Sequence, residues 1–170
     1  MLLPKFRHLR KNGFTLLETV TAVGMVGMFI AILIVVSSNV LGMLRTSKDN
    51  ISASQTLQQR AEEIRMANWK QVTNAQWIAT NILVDPTRST EGLAETVETV
   101  VISPHPAKAG FTPGKIVRQN GAAAVVSSNP NLEFEHLIRV DLTLTWKGHP
   151  HKRNRARASS ILIAKGSSIQ

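Results

Sequence analysis

The pattern of apolar and polar positions changes character near residue 40. From Phe14 to Val36, a run of 23 residues, the only ionisable side chain is Glu18 and there is no proline. As a helix rising about 1.5 Å per residue, that run would measure roughly 35 Å, enough to cross the hydrocarbon core of a bilayer. From Gly42 to about Asn68 no proline interrupts either, but the composition turns to Gln, Glu, Arg, Ala and Leu. Ala53, Leu57, Ala61 and Ile64 recur at helical spacing and form one apolar stripe, while Ser52, Gln55, Gln59, Glu62 and Glu63 fall mostly off it. The simplest expectation is one helix from Phe14 to Met66, about 80 Å long, with its second half laid on a sheet. The competing expectation breaks it in two, near Ser37-Ser38-Asn39 or at Gly42.

After the stem, Trp69, Val72, Trp77 and Ile78 read as packing residues over it. Asp85-Pro86 opens a polar connection, and the stretch from Arg88 through Thr90 to Gly92 reads as an exposed loop. Strands follow. Glu98 to Ser103 is β-branched and stops at Pro104. Lys115–Arg118 and Ala122–Ser127 flank Asn120-Gly121, a hairpin signal because both turn residues tolerate positive φ. Ile138, Val140, Leu142, Leu144 and Trp146 alternate with polar residues, as in a half-buried antiparallel strand. Ala158 to Lys165 reads as its return strand, and Gly148 to Arg157 as the basic loop between them. The pattern therefore predicts an α+β chain: a long N-terminal helix, membrane-spanning in its first half, packed on a C-terminal antiparallel sheet. Its divisions are a basic leader over 1–13, a membrane helix over 14–40, an amphipathic stem over 41–68 and a globular domain over 69–170.

Charge refines this picture. The chain of 170 residues has a formal net charge of +9 and no cysteine, so a disulfide framework, a thiolate metal site and a cysteine nucleophile are excluded. Lys5, Arg7, Arg10 and Lys11 precede the apolar run, and the first thirteen residues hold no acid. That asymmetry predicts a cytoplasmic N-terminus, with everything beyond about Val40 sent across the membrane. A secretory signal has a shorter apolar core and a small-residue cut after it. Here the run is longer, Val35-Val36-Ser37-Ser38 closes it, and the small residue suited to a cut, Gly13, lies before it. Without residues 1–13 the chain keeps 16 Lys and Arg against 11 Asp and Glu, a net charge of +5. Glu18 remains the odd feature, because a carboxylate in an apolar span is costly and tends to have a definable partner.

The segment from Lys11 to Val36 resembles the N-terminal signature of type IV prepilins and type II secretion pseudopilins: basic residues, then Gly13-Phe14-Thr15-Leu16-Leu17-Glu18, then a membrane-length apolar helix. The resemblance implies a pilin-like fold and a structural, non-enzymatic role that needs no cofactor. It implies cleavage between Gly13 and Phe14 by a membrane-embedded prepilin peptidase, followed by N-methylation of Phe14. Glu18 would be the assembly charge that pairs with the terminus of a neighbouring subunit, an interaction suited to fixing register. The implied partners are the peptidase, other pilin or pseudopilin subunits, an inner-membrane assembly platform and membrane lipid. The chain would sit as a single-pass protein of a bacterial inner membrane, with a periplasmic domain, before entering a filament. Many major pilins carry a proline within the apolar run. Here there is none, and Gly24, Gly27 and Gly42 are the weak points instead. The missing cysteines and the basic hairpin look more like minor pilins and minor pseudopilins.

Other signals carry less. Gly110 to Lys115 has three residues between its glycines where a phosphate loop needs four, and Ile116 stands where Ser or Thr should follow. His149-Pro150-His151 has no carboxylate close in sequence to complete a metal site. Lys147, Lys152, Arg153, Arg155 and Arg157 place five cations within eleven residues. They suggest phosphate contact, as in a competence-type minor pilin that binds DNA, or contact with acidic residues of neighbours such as Glu91, Glu95 and Glu98. No aromatic residue interleaves them to stack bases. A further rival is an unprocessed single-pass protein with an unrelated domain.

Overall fold

The first helix starts where Thr15 caps it. The Thr15 Oγ1 accepts the Glu18 N–H at 3.3 Å, and the Thr15 carbonyl accepts the N–H groups of Glu18 and Thr19 at 3.0 and 3.2 Å. Such a cap satisfies donors that the first turn leaves free and is worth about 1 kcal/mol. In the computed structural model, which describes residues 15–87, 90, 92–148 and 153–166, this helix is α1, Leu16–Met66, 51 residues without a break. The expected alternative of two helices is thereby overturned. Ser38 lies inside the helix with its Oγ donating back to the Ile34 carbonyl at 2.9 Å, and Gly42 is helical. By contacts the chain nevertheless divides into two units between Leu41 and Gly42.

The first unit is helix only, and its described side chains are all exposed, including Leu16, Met25, Phe29 and Ile34. α1 is long and apolar enough to cross a membrane, and none of its most apolar stretch is buried within the chain.

The second unit carries the rest of α1, two short helices, α2 (Trp69–Val72) and α3 (Ala75–Asn81), and five strands. The strands are β1 (Ala94–Pro104), β2 (Gly114–Gln119), β3 (Ala122–Ser127), β4 (Leu137–Gly148) and β5 (Arg153–Ala164). They form one antiparallel sheet in the order β3-β2-β1-β4-β5. The β2–β3 turn is Asn120-Gly121, both at positive φ (52° and 82°), so a residue that enters this region readily is followed by one with no Cβ to strain.

One face of the sheet is covered. Ala53, Leu57, Ala61 and Ile64 of α1 are buried in a single core with Val100 and Ile102 of β1, Ile116 of β2, the even-numbered residues Ile138 to Trp146 of β4, and Ile161 and Ile163 of β5. Each large aliphatic buried there contributes about 1.5–3 kcal/mol. The long helix on an antiparallel sheet, an α+β arrangement, is thus the architecture that the apolar pattern predicts.

Trp69, Val72 and Ile78 share one buried core with Ala61 and Ile64 of the stem, and Trp77 packs against it; α3 also meets β2 and β3, and the Trp69 Nε1 donates to the Glu133 carbonyl at 2.9 Å in the 3-10 turn Pro130–Phe134. Two local expectations change. Thr90, expected in an exposed loop, is buried, its Oγ1 donating to the Thr87 carbonyl at 2.6 Å. The basic segment expected as a loop is largely strand: β5 begins at Arg153, paired with Gly148. Every residue of β4 to its end has a partner, so the return strand must be equally long.

Candidate functional site

Gly13 and Phe14, the expected cleavage and methylation positions, lie outside the described residues, as do Lys152, Glu91 and the His149-Pro150-His151 segment. Glu18 stands in the first turn of α1. Its side chain is exposed and has no hydrogen-bond or ion-pair partner among the described residues. Thr15-Leu16-Leu17-Glu18 has the spacing of a capping box, but only the half from the Glu18 N–H to the Thr15 Oγ1 is made. A carboxylate there also meets the positive end of the helix dipole, worth about 0.3–1 kcal/mol. Glu18 therefore has a local role in starting α1, in addition to any role between chains.

Beyond Glu18 the first unit presents apolar side chains on every side, with Val23, Met25, Phe29, Leu33 and Ile34 all more than three-fifths exposed. A Cβ added at Gly24 or Gly27 would meet nothing within 4 Å. A surface of this kind is stable only against lipid or against other apolar helices, since contiguous apolar area is costly in water.

The residues that sequence reading missed lie in the second unit. Glu98, suggested as part of an exposed acidic patch, is 4% exposed. Its Oε2 accepts from the Arg60 Nε of α1 at 3.0 Å and its Oε1 from the Arg118 Nη1 of β2 at 2.8 Å. Both arginines are also buried. The Arg60 guanidinium donates further to the Glu63 carboxylate at 2.9 Å and to the carbonyls of Ile82 and Asp85. The register explains one half of this cluster, because Glu98 and Arg118 are directly opposed on β1 and β2. The signal was present in the spacing: Glu98 shares strand parity with Val100 and Ile102, and Arg60 falls in the stripe between Leu57, Ala61 and Ile64. A network of this kind contributes less to net stability than to fixing how one element sits on another.

The basic residues separate into two groups. Lys147 is ion-paired with Glu95, on the residue-long irregularity where β1 leaves register with β4. Arg153, Arg155 and Arg157 share one face of β5, which follows from strand alternation. On that face the Arg155 Nη2 donates to the Thr46 Oγ1 of α1 and the Arg157 Nε to the Ser54 Oγ, both at 3.3 Å. These arginines are thus held beside α1 and do not sit on an unanchored loop. Among the described residues, no three His, Asp or Glu side chains gather as metal ligands.

Compared with known proteins, the chain matches no family model, no curated protein and no solved structure.

Proposed function

We propose that this chain is a structural subunit, of the minor class, of a type IV pilus or type II secretion pseudopilus. It enters the inner membrane as a single-pass precursor with its N-terminus in the cytoplasm. Prepilin peptidase cuts between Gly13 and Phe14 and methylates the new terminus, and the subunit joins a filament by packing its apolar helix against those of its neighbours.

One observation carries this reading: α1 is a single helix whose first part exposes apolar side chains in all directions, while the same helix later buries one stripe in the core of an antiparallel α+β unit. A soluble domain has no use for the first part, and a bare membrane anchor does not need the second. The hexapeptide Gly13 to Glu18 at the head of that helix supports the same reading. Packing among such helices requires Glu18 to find a cation, and a Phe14 ammonium on an adjacent subunit is the one that cleavage would create.

Mass spectrometry of the protein extracted from its native membrane tests this directly. The expected mature chain begins at N-methylated Phe14. An intact terminus at Met1 overturns the proposal.

A further inference from the structure

The second unit begins, in sequence, directly after the apolar run, with Met43 and Leu44 exposed. Arg45 and Lys48 follow within one turn and a half of α1, both exposed. Beside them lie the arginines of β5, because Arg155 is bonded to Thr46 and Arg157 to Ser54. Arg153 shares their face and is exposed. None of these five cations has an ion-pair partner among the described residues; the carboxylate nearest in sequence, Asp49, is half-buried and pairs with none of them. The Lys147–Glu95 pair lies nearby, with Lys147 opposite Asn154 on β5, and involves none of the five.

The placement of Arg155 is built into the sheet. It stands opposite Trp146 across β4–β5. Its side chain lies over Gly148, where an added Cβ would meet the Arg155 Nε and come within 2.7 Å of its Cδ. A residue with any side chain at position 148 would push the guanidinium from this path.

We infer that Arg45, Lys48, Arg153, Arg155 and Arg157 form a shelf for the phosphate groups of an anionic phospholipid leaflet, holding the domain against the membrane from which its helix emerges. This rests on the membrane-anchor part of the proposed function. Guanidinium groups match phosphate geometry in bidentate fashion, and basic residues flanking an apolar helix are attracted to anionic headgroups. The combination of exposed Met43 and Leu44 with cations immediately beyond them fits the boundary between acyl chains and headgroups, where apolar and basic side chains meet. The same chemistry would attract nucleic acid, but chain order favours lipid: Arg45 and Lys48 closely follow the apolar run in sequence, and the β5 arginines are bonded to Thr46 and Ser54 of the same stretch of helix.

The chain has no cysteine, so Ser47→Cys accepts a single spin label beside the shelf. The labelled full-length protein is reconstituted in vesicles of phosphatidylcholine, or of phosphatidylcholine and phosphatidylglycerol in equal parts. Collision with a neutral water-soluble nickel chelate is then measured. Accessibility is expected to fall about twofold or more in the anionic vesicles. The difference should vanish in 1 M salt, where the Debye length contracts from about 10 Å at 0.1 M to about 3 Å. It should also vanish when Arg153, Arg155 and Arg157 are all changed to Gln, and shrink in Arg153→Gln, which leaves the bonds to Thr46 and Ser54 in place. Lys115→Gln, a single charge change equal to Arg153→Gln at an exposed position of β2, should leave it intact. Equal accessibility in the two lipids, with the chain floating with both, overturns the shelf and leaves the anchor standing. A chain that floats with neither overturns both. Protection by a DNA duplex but not by anionic vesicles overturns the lipid assignment in favour of nucleic acid.

Discussion

Glu98 and Glu18 both set a carboxylate among apolar neighbours, one in the core of the second unit and the other in the first turn of α1. Glu98 is answered within the chain by two buried arginines. Glu18 is answered by nothing among the described residues beyond the backbone end of its own helix. The surroundings differ in the same sense. Around Glu98 the apolar residues are buried against one another, whereas around Glu18 they are exposed. A region that pairs its buried charges and covers its core apolar residues is complete as a folding unit. A region that does neither is built for contacts supplied from outside, and this difference separates the two halves of a single helix.

The largest expected effect comes from removing the internal answer. Glu98→Ala leaves Arg60 and Arg118 buried without their shared counter-ion, and breaking a buried pair in this way costs about 3–5 kcal/mol. Thermal unfolding of the second unit, followed by circular dichroism in the detergent-solubilised full chain, should shift downward by many degrees. A shift no larger than that of an exposed control such as Glu62→Ala would show that the cluster is dispensable.

That cluster also marks where sequence reading fell short. The alternation of Ile138 to Trp146, the Asn120-Gly121 turn and the stripe from Ala53 to Ile64 were legible because each puts apolar residues on one face and polar residues on the other. Glu98, Arg60 and Arg118 were not, because period analysis assigns a charge to solvent by default. They obey the period of the buried face and break only its chemistry, and the compensating partner is distant in sequence: 38 residues separate Arg60 from Glu98. The extent of β5 was misjudged for a different reason. Arg153 to Arg157 have the composition of a loop, but the pairing of β4 through to Gly148 commits them to a strand. At the head of α1 the roles of Gly13, Phe14 and Glu18 rest on a resemblance in sequence, and the fold adds the Thr15 cap.

The second effect contrasts two isoleucines on the same helix. Ile64 is fully buried and Ile30 is half-exposed. Ile64→Ala removes side-chain volume from the core beneath the sheet and should destabilise the second unit by about 2–5 kcal/mol. Ile30→Ala removes the same atoms from a surface that the chain itself does not cover, so the unfolding transition of the second unit should stay within about 0.5 kcal/mol of wild type. Equal losses at the two positions would mean that the first part of α1 has partners within the chain after all, and the distinction between the halves would collapse.

The smallest effect on folding, and the most informative about use, belongs to Glu18. Its two roles predict different responses to conservative change. If the carboxylate only serves the start of α1, Glu18→Gln keeps a residue suited to a capping box and forfeits the dipole contribution of about 0.3–1 kcal/mol, which helix packing around it would absorb. If the charge meets the cationic terminus of a neighbouring chain, the amide fails as completely as alanine, because it leaves that ammonium unpaired in an apolar setting. We expect Glu18→Gln and Glu18→Ala to leave the unfolding transition of the second unit unchanged and to permit removal of residues 1–13, yet to be depleted from sheared filament fractions by tenfold or more, as a loss of about 1.4 kcal/mol or more per subunit contact would give. Glu18→Asp, which retains charge on a shorter side chain, should restore part of the incorporation. Normal recovery of Glu18→Gln in filaments would confine this residue to the helix that it begins.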